Sequence, residues 1–316
     1  MESAPARIVL HADDLGMSRA VTDGIMHGFR NGLLTSASLL ANAHDAARAL
    51  EQWKRLAGDH QAGDLPSMSI RQRLDDPARP FDLGVHLNLT EGRPLSGARY
   101  PGELLDAHGC FPGVFALFAR LRNSSGRFRA AVQAELEQQV QFLCDHGLRP
   151  THLNGHQYVE IIPQIAPMIP ALLERFSIKM VRVAFEPSLF RSTVFHGLRL
   201  WRWPMGRVKR FFAVRFRARI DALGIAHPGA FYGTVCAGGV DLRMMRLFLR
   251  SGRQFPLVEI GLHPAERAAE LVAEEWADGW SDPLARLRPS ELRLLVSAGL
   301  PALLEAEHLR LGRLDP

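Results

Sequence analysis

Residues 8–16 read Ile8-Val9-Leu10-His11-Ala12-Asp13-Asp14-Leu15-Gly16, a short apolar run followed almost at once by a pair of acids. The apolar run is partly β-branched and predicts a buried strand. The residues from His11 onward predict a loop at the carboxyl end of that strand. Ser18 is placed to cap a helix that Asn31-Gly32 ends. The chain therefore opens with a strand–loop–helix unit whose loop carries two carboxylates.

Strands and helices alternate along most of the remaining sequence. Further strands are predicted at 33–40, 83–89, 151–154, 180–183 and 257–261, the second of them from its alternating pattern. Helical periodicity predicts helices at 46–56, 128–146 and 163–176, and residues 57–80 are expected to be a surface loop. This order is typical of βα units that build an α/β fold with a parallel sheet or barrel, in which the chemistry lies at the carboxyl ends of the strands.

The composition is that of a globular protein with a sizeable core. Hydrophobic residues make up 47% of the 316 residues and charged residues 22%. The three cysteines are far apart, so neither a thiolate zinc site nor a disulfide framework is expected. No segment has the length and apolarity of a signal peptide or a membrane span. We therefore expect a cytoplasmic protein, with peripheral membrane contact as an open alternative.

Seven acids and histidines lie at or just after predicted strands: Asp13, Asp14, His86, His152, His156, Glu259 and His263. In a parallel barrel these strand ends converge on one mouth. Carboxylate and imidazole together form a ligand set for a divalent cation. Adjacent acids on an extended segment cannot both point at one ion, so one can bind it while the other takes a proton from water.

Each of these features has an ordinary structural explanation when it stands alone. A pair of aspartates is usually a solvated loop, and a single histidine in a strand is more often structural. His152 and His156 share a face only in a helix, which Asn154-Gly155 make doubtful. Only the joint placement at strand ends favours a metal site, and which of the two histidines faces the ion stays open.

Five segments in order resemble motifs of the YdjC-like carbohydrate deacetylases. They are 11–16 (HADDLG, similar to ADDFG), 84–90 (GVHLNLT, similar to GLHLNLT), 151–156 (THLNGH, similar to THLDSH), 182–186 (RVAFE, similar to RxPxE) and 259–264 (EIGLHP, similar to ExxxHP). The resemblance implies a distorted (β/α) barrel of the polysaccharide-deacetylase-like type, with residues 1–316 as one catalytic domain. It also implies removal of an N-acetyl group from an amino sugar, one divalent metal ion (Mg or Zn), and a homodimer.

The motif positions imply a role for each site residue. The metal ligands would be Asp14, His86 and His156. Asp13 would be the general base and His263 the general acid that protonates the departing amine. The residues expected to bind substrate or support the site are His152, Asn154, Arg182, Glu186 and Glu259. Of these, Glu259 or His152 is the alternative to His263 as an orienting or proton-donating group.

The sequence departs from the family pattern at several positions. Asn154 stands where the family has aspartate, which removes a charge beside the ligands and predicts weaker orientation of them. Gln157 and Tyr158 stand where further histidines are common, and Ala184 replaces a proline. These changes affect the expected substrate more than the expected chemistry.

A basic, aromatic segment at 191–219 is expected to be an insertion or lid. It holds nine Arg or Lys residues and no acid, and Pro204 and Gly206 argue against one unbroken helix. Three interpretations are open: contact with anionic lipid or a lipid-linked substrate, contact with nucleic acid, and an ordinary helix packed on the barrel. Nucleic acid is the least favoured. His263-Pro264-Ala265 is similar to a branch associated with hopanoid biosynthesis, which would imply a glycolipid substrate.

Two rivals to a deacetylase remain. One is another metal-dependent hydrolase, such as an amidase or a phosphoesterase, although a phosphoesterase would more readily show two ligand sets. The other is a non-catalytic sugar- or lipid-binding protein on the same fold. The retention of Asp13 beside the three expected ligands argues against the second.

Overall fold

The computed structural model describes residues 6–62, 81–122, 126–187, 202–267 and 278–314. Eight strands within these ranges form one sheet in the order β5-β4-β3-β2-β1-β7-β6, and β8 pairs with part of β1. All paired neighbours are parallel. The strands are β1 Arg7–Leu15, β2 Ser36–Leu39, β3 Asp82–Leu87, β4 His152–Gly155, β5 Met180–Val181, β6 Ala230–Tyr232, β7 Leu257–Leu262 and β8 Arg310–Leu311.

Helices connect these strands and pack against them in a large hydrophobic core, and a second, small cluster consists of Val9, Met180, Leu257 and Leu314. In the described ranges they are α1 Arg19–Asn31, α2 Ala46–Ala62, α3 Val114–Leu121, α4 Gly126–Asp145, α5 Ile169–Arg175, α6 Arg202–Ala222, α7 Leu242–Gly252, α8 Arg288–Leu295 and α9 Gly299–Ala306. Short 3₁₀ turns occupy Gly97–Arg99, Gly102–Leu104 and His156–Ile161. None of the described helices is long and apolar enough to cross a membrane.

The sheet curls into a distorted barrel, as the family resemblance implied. Arg182 directly follows β5 at one end of the strand order, yet its guanidinium lies 2.8 Å from Glu259 on β7, near the other end. Between the β5 and β6 segments the described residues form no ladder: they show an isolated bridge, Met180 to Ala226, and a backbone hydrogen bond of 2.9 Å from Phe231 to Phe185. The barrel is therefore incompletely hydrogen-bonded on the side where α6 connects these two strands.

β1 is longer than the sequence predicted. The apolar run at 8–10 lies in it, but the strand continues to Leu15, so the assignment of Asp13-Asp14 to a loop was wrong. Pairing on both edges explains the extension, because Ala12 still pairs with Leu262 and Leu15 with Leu39. The register slips between Ala12 and Leu15, which releases the two acids from regular strand geometry.

The barrel interior beneath the strand ends is polar and hydrogen-bonded. The ring of His11 on β1 lies 2.8 Å from the Ser36 hydroxyl and 3.0 Å from the Ser38 hydroxyl, both on β2. The same ring meets that of His152 edge-on at 5.0 Å. Both ring nitrogens of His11 thus lie within hydrogen-bond distance of a serine hydroxyl, whereas Nε2 of the buried His152 ring has no hydrogen-bond partner among the described residues.

The helix α6 corrects one expectation about the basic segment. Arg202–Ala222 is a single helix of 21 residues that includes Pro204 and Gly206, so the predicted interruption was wrong. Pro204 lies in the first turn, where a helix needs no backbone N–H donor. Residues 191–201, the first part of the predicted lid, lie outside the described residues.

The other boundaries differ from the predictions mostly by a few residues. The helix predicted at 46–56 continues to Ala62, so 57–62 is helix rather than loop, and 63–80 lies outside the described residues. The cap at Ser18 is confirmed, since its hydroxyl accepts from the backbone N–H of Val21 at 3.4 Å. The strands β6 and β8, of three and two residues, were not predicted.

Candidate functional site

The candidate site lies at the carboxyl ends of β1, β3, β4 and β7, where a parallel barrel gathers its functional side chains. Asp13 and Asp14 come from the end of β1, and His86 from β3. His156 directly follows β4, and His263 directly follows β7. Five residues from four well-separated segments of the sequence are thus brought to one end of the barrel.

Asp14, His86 and His156 form a group that can hold a metal ion. One ligand atom from each lies within 4.8 Å of the others, and all three residues are buried. Asp14 Oδ1 lies 3.4 Å from His86 Nε2 and 3.0 Å from His156 Nδ1. One carboxylate and two imidazoles are a donor set that suits a divalent transition metal and leaves further coordination positions open. The residues present therefore fit the implied ion.

The backbone at Asp14 separates the two acids. Asp14 has a φ of 67°, in the left-handed region that aspartate tolerates better than most residues. Gly16, at φ 90°, then turns the chain away from the strand. As a result the Asp14 carboxylate joins the two histidines, whereas the Asp13 carboxylate faces a different set of partners.

Each candidate histidine ligand is held at its other ring nitrogen. His86 Nδ1 lies 2.7 Å from Asn154 Oδ1, and His156 Nε2 lies 3.3 Å from Glu91 Oε2. Asn154 also donates to Asp13 Oδ1 at 3.0 Å. Asn154 therefore keeps the hydrogen bond that orients His86. It lacks only the negative charge that the family's aspartate would carry.

Burial alone would raise the pKa of the Asp13 carboxyl, but nearby cations hold it well below its ordinary value. Arg182 has the largest effect of these, followed by His86. The Arg182 guanidinium donates to both Asp13 oxygens at 2.8 Å and also pairs with Glu259. Asp13 thus stays ionised, with both oxygens fixed in direction. Arg182 and Glu259 lie beneath the predicted base as its support.

Arg288, at the start of α8, was missed by sequence reasoning and lies beside Asp14. Its guanidinium donates to Asp14 Oδ2 at 2.8 Å and to Asp282 Oδ2 at 2.8 Å. Burial would raise the pKa of Asp14, but Arg288 and His156 hold it well below the ordinary value. For His156, burial lowers the pKa, and the charges of Asp14 and Glu91 outweigh it and raise the pKa to about 10.

His263 lies against Asp13, with 3.7 Å between its Nε2 and Asp13 Oδ2. Burial is the main reason that its pKa is lowered to about 4, so its ring is neutral near pH 7. Glu291, a second residue that the sequence did not reveal, accepts the backbone N–H of His263 at 2.6 Å. This bond positions the histidine at the end of β7.

Two predicted supporting residues lie apart from the metal-type group. His152 is fully buried below the site, where its Nδ1 lies 2.9 Å from the Thr151 hydroxyl. Glu186 accepts the backbone N–H of Thr234 at 3.0 Å, and Arg210 of α6 donates to its backbone carbonyl at 2.6 Å. Of the two histidines in the 151–156 motif, His156 is the one that joins Asp14 and His86.

The fold and the site together consist of a curled parallel barrel, a buried Asp/His/His group and a second aspartate that pairs with an arginine. These features indicate the class of protein to which the chain belongs. A model of the YdjC-like protein family matches residues 7–306. The chain belongs to this family, which confirms the resemblance that the motifs indicated.

Curated relatives of the chain carry the name carbohydrate deacetylase. One from Geobacillus stearothermophilus is 33% identical over 193 residues, 60% of this chain and 66% of the relative. One from Homo sapiens is 28% identical over 330 residues, 98% of this chain and 90% of the relative. The chain spans only 53% of the length of a relative from Danio rerio, to which it is 30% identical over 60% of its own length.

A solved structure supports the fold independently. A protein from Enterococcus faecalis V583, named for cellobiose-phosphate cleavage, matches with a TM-score of 0.72 at 17% identity, over 98% of each chain. At this identity the likeness establishes the distorted α/β barrel and nothing about substrate.

Proposed function

We propose that this chain is a metal-dependent carbohydrate deacetylase that hydrolyses the N-acetyl group of an amino sugar. The observation that carries the proposal is that the two adjacent aspartates have different partners. Asp14 is grouped with His86 and His156, while Asp13 is held by Arg182 beside His263. The names of the relatives supply the substrate class, and the near-complete alignment with the human protein supports transfer of that class.

A divalent ion held by Asp14, His86 and His156 would polarise the acetyl carbonyl and lower the pKa of the attacking water, from about 16 toward about 7 in the zinc case. Of the two metals expected, the donor set favours zinc, because magnesium prefers oxygen ligands and two of the three donors here are imidazoles.

Asp13 accepts the proton of the attacking water at a carboxylate oxygen. Arg182 contacts both oxygens of that carboxylate, which fixes its plane and keeps it ionised between turnovers. The water oxygen bonds to the carbonyl carbon, the C–N bond breaks, and the water proton finally resides on the departing amine. Acetate and a free amino sugar are the products.

His263 is the proposed proton donor to the amine. Because its resting ring is neutral, the proton that it delivers must arrive during turnover. Asp13 Oδ2 lies 3.7 Å from His263 Nε2, so Asp13 is placed to pass on the proton taken from water. His152, the alternative donor, lies below this layer in the barrel interior.

Metal content and acetate release test the proposed roles together. We expect Asp13→Asn to retain zinc after dialysis but release no acetate from N,N′-diacetylchitobiose, since the ligands are intact and the base is gone. His156→Ala is expected to lose both. Asp145→Asn, at the exposed end of α4, is the matched control and should resemble wild type. Full acetate release by Asp13→Asn would refute the mechanism, and sugar binding without release by wild type would favour the non-catalytic rival.

The substrate is proposed to carry a lipid or hydrophobic aglycone. The outward face of α6 exposes four apolar residues beside arginines: Met205, Val208, Phe211 and Val214. The same helix approaches the site, since Lys209 Nζ lies 4.2 Å from the ring centre of Tyr158, two residues after His156. Exposed apolar and cationic groups together suit an anionic lipid surface better than nucleic acid.

Turnover of a lipid-linked N-acetylated amino sugar, compared with that of diacetylchitobiose, tests this part of the proposal. We expect preference for the lipid-linked substrate and a loss of that preference in Phe211→Ser. A clear preference of wild type for diacetylchitobiose would overturn it. The homodimer that the family resemblance implies stays a prediction, which light scattering at working concentration tests.

A further inference from the structure

Glu91, in the loop after β3, is a buried carboxylate that belongs to none of the predicted site residues. It is only 6% exposed. One oxygen, Oε2, lies 3.3 Å from His156 Nε2. The other, Oε1, accepts from the Gln157 side chain at 3.2 Å and from the Ser281 hydroxyl at 2.6 Å. Glu91 thus joins three loops, and one of its contacts is the ring of a candidate metal ligand.

The two nitrogens of His156 face in different directions. Nδ1 lies 3.0 Å from Asp14 Oδ1, on the side of the metal-type group, while Nε2 meets Glu91. A neutral imidazole carries one N–H, so donation from Nε2 to Glu91 leaves the lone pair on Nδ1. That tautomer is the one a metal ion beside Asp14 requires. A carboxylate acceptor also makes the ring a stronger ligand.

The loop holds Glu91 rigidly. Asn88 Nδ2 donates to the backbone carbonyl of Glu91 at 2.8 Å, and Asn88 Oδ1 accepts from its backbone N–H at 3.2 Å. Asn88 is itself anchored by Gln139 on α4, whose side chain bonds both its backbone N–H and its carbonyl. These bonds fix the backbone of Glu91, and the contacts with Gln157 and Ser281 direct its carboxylate.

The chain around His156 needs such a support. Gln157 and Tyr158 have φ values of 52° and 64°, so two consecutive residues after the ligand adopt the left-handed conformation. Neither residue type favours it. The bond from Gln157 to Glu91 holds this turn, which gives His156 a direction that β4 alone would not supply.

We infer that Glu91 is a positioning residue that selects the metal-binding tautomer of His156 and fixes its ring toward Asp14. The inference rests on the metal site of the proposed function. The equivalent partner of His86 Nδ1 is Asn154, which is neutral, whereas the partner of His156 Nε2 is the carboxylate of Glu91.

Zinc affinity of the metal-free full-length protein, measured at one fixed pH by competition with a chromogenic chelator, tests the inference. Glu91→Ala is expected to bind zinc about 10- to 100-fold more weakly than wild type. Glu91→Gln should recover part of that loss, because its amide oxygen can still accept from Nε2. Asp145→Asn, which neutralises an acid at the exposed end of α4, is the control and should bind zinc like wild type.

A second readout follows the ring itself. In the zinc-bound full-length protein, nitrogen NMR should show the wild-type His156 ring with its proton on Nε2, and Glu91→Ala should show a mixture of the two tautomers. If wild type and Glu91→Ala bind zinc equally well, Glu91 only links neighbouring loops and the inference fails. A loss far beyond the expected range would make Glu91 a ligand and overturn it as well. If wild type binds no metal, the proposed metal site itself fails, and the inference with it.

Discussion

Replacing Arg182 by methionine would leave two buried carboxylates, Asp13 and Glu259, without their shared cation. Arg182 is 1% exposed, donates to both Asp13 oxygens at 2.8 Å and also pairs with Glu259. Removing one partner of a buried ion pair costs about 3–5 kcal/mol, because the remaining charge is neither solvated nor paired. Methionine has a similar length and retains contact with Phe231, over which the guanidinium lies at 4.5 Å. We therefore expect a loss of about this size at pH 7, arising from charge rather than from a cavity.

The pH dependence of the lost stability shows whether it arises from an unpaired buried charge or from a cavity. In wild type the folded pKa of Asp13 lies below its unfolded value, so the ion pair stabilises the fold above the unfolded pKa of about 3.9 and is lost as pH falls through the folded pKa. Without Arg182, burial would raise the folded pKa above the unfolded one. Ionised Asp13 would then oppose folding, and protonation would relieve the penalty. The difference in free energy of unfolding between wild type and Arg182→Met should therefore become smaller from pH 7 toward pH 4.

Urea unfolding followed by circular dichroism at several pH values measures this difference. Arg175→Met is the matched control, since Arg175 pairs with Glu137 at 2.8 Å but its side chain is 61% exposed. Such a surface pair should contribute about 0–1 kcal/mol. Arg182→Lys retains the charge and should fall between the two. The reasoning is refuted if Arg182→Met is as stable as Arg175→Met at pH 7, or if its deficit grows as the pH is lowered.

Two further changes test the interior of the barrel. A Cβ at Gly84 would lie 2.3 Å from Nε2 of the fully buried His152 ring, so Gly84→Ala should lower the free energy of unfolding in urea by about 1–3 kcal/mol, whereas Gly102→Ala, which meets open space, should not. Burial raises the pKa of Glu160 to about 8, so its ionisation opposes folding increasingly from about pH 4.3 up to pH 8. Glu160→Gln should therefore gain stability over wild type as pH rises through that window, and a difference independent of pH would contradict this.

A parallel sheet or barrel could be predicted from the sequence because buried strands leave short apolar or alternating segments, visible at 8–10, 83–89 and 257–261, and the distorted barrel followed from the family resemblance. The site was visible for the same reason, since polar residues stand out where those runs end. The helix over 202–222 was predicted wrongly, because the effect of Pro204 depends on whether it lies in the first turn or the interior.

Spacing could not decide between His152 and His156. Strand alternation directs His152 into the barrel with Asn154, whereas the left-handed residues after His156 set its direction, and neither Gln nor Tyr predicts such a conformation. Arg288 and Glu291 were missed because they belong to a helix with no distinctive pattern, far from Asp14 in the sequence. Glu91 directly follows the 84–90 motif, and that adjacency was the only available indication of it.

The central position of β1 has a consequence for synthesis of the protein. Its partners are β2, which follows at once, and β7 and β8, which begin at residues 257 and 310. At about 5–20 residues per second, a ribosome needs roughly 10–50 seconds after making β1 before β7 is complete. During that interval one edge of the apolar strand β1 has no partner strand, and Arg288, which pairs with Asp14 in the folded protein, has not yet been synthesised. The nascent chain should thus be a client for chaperones that shield strand edges, and ribosome stalling late in the message should be more damaging than stalling early.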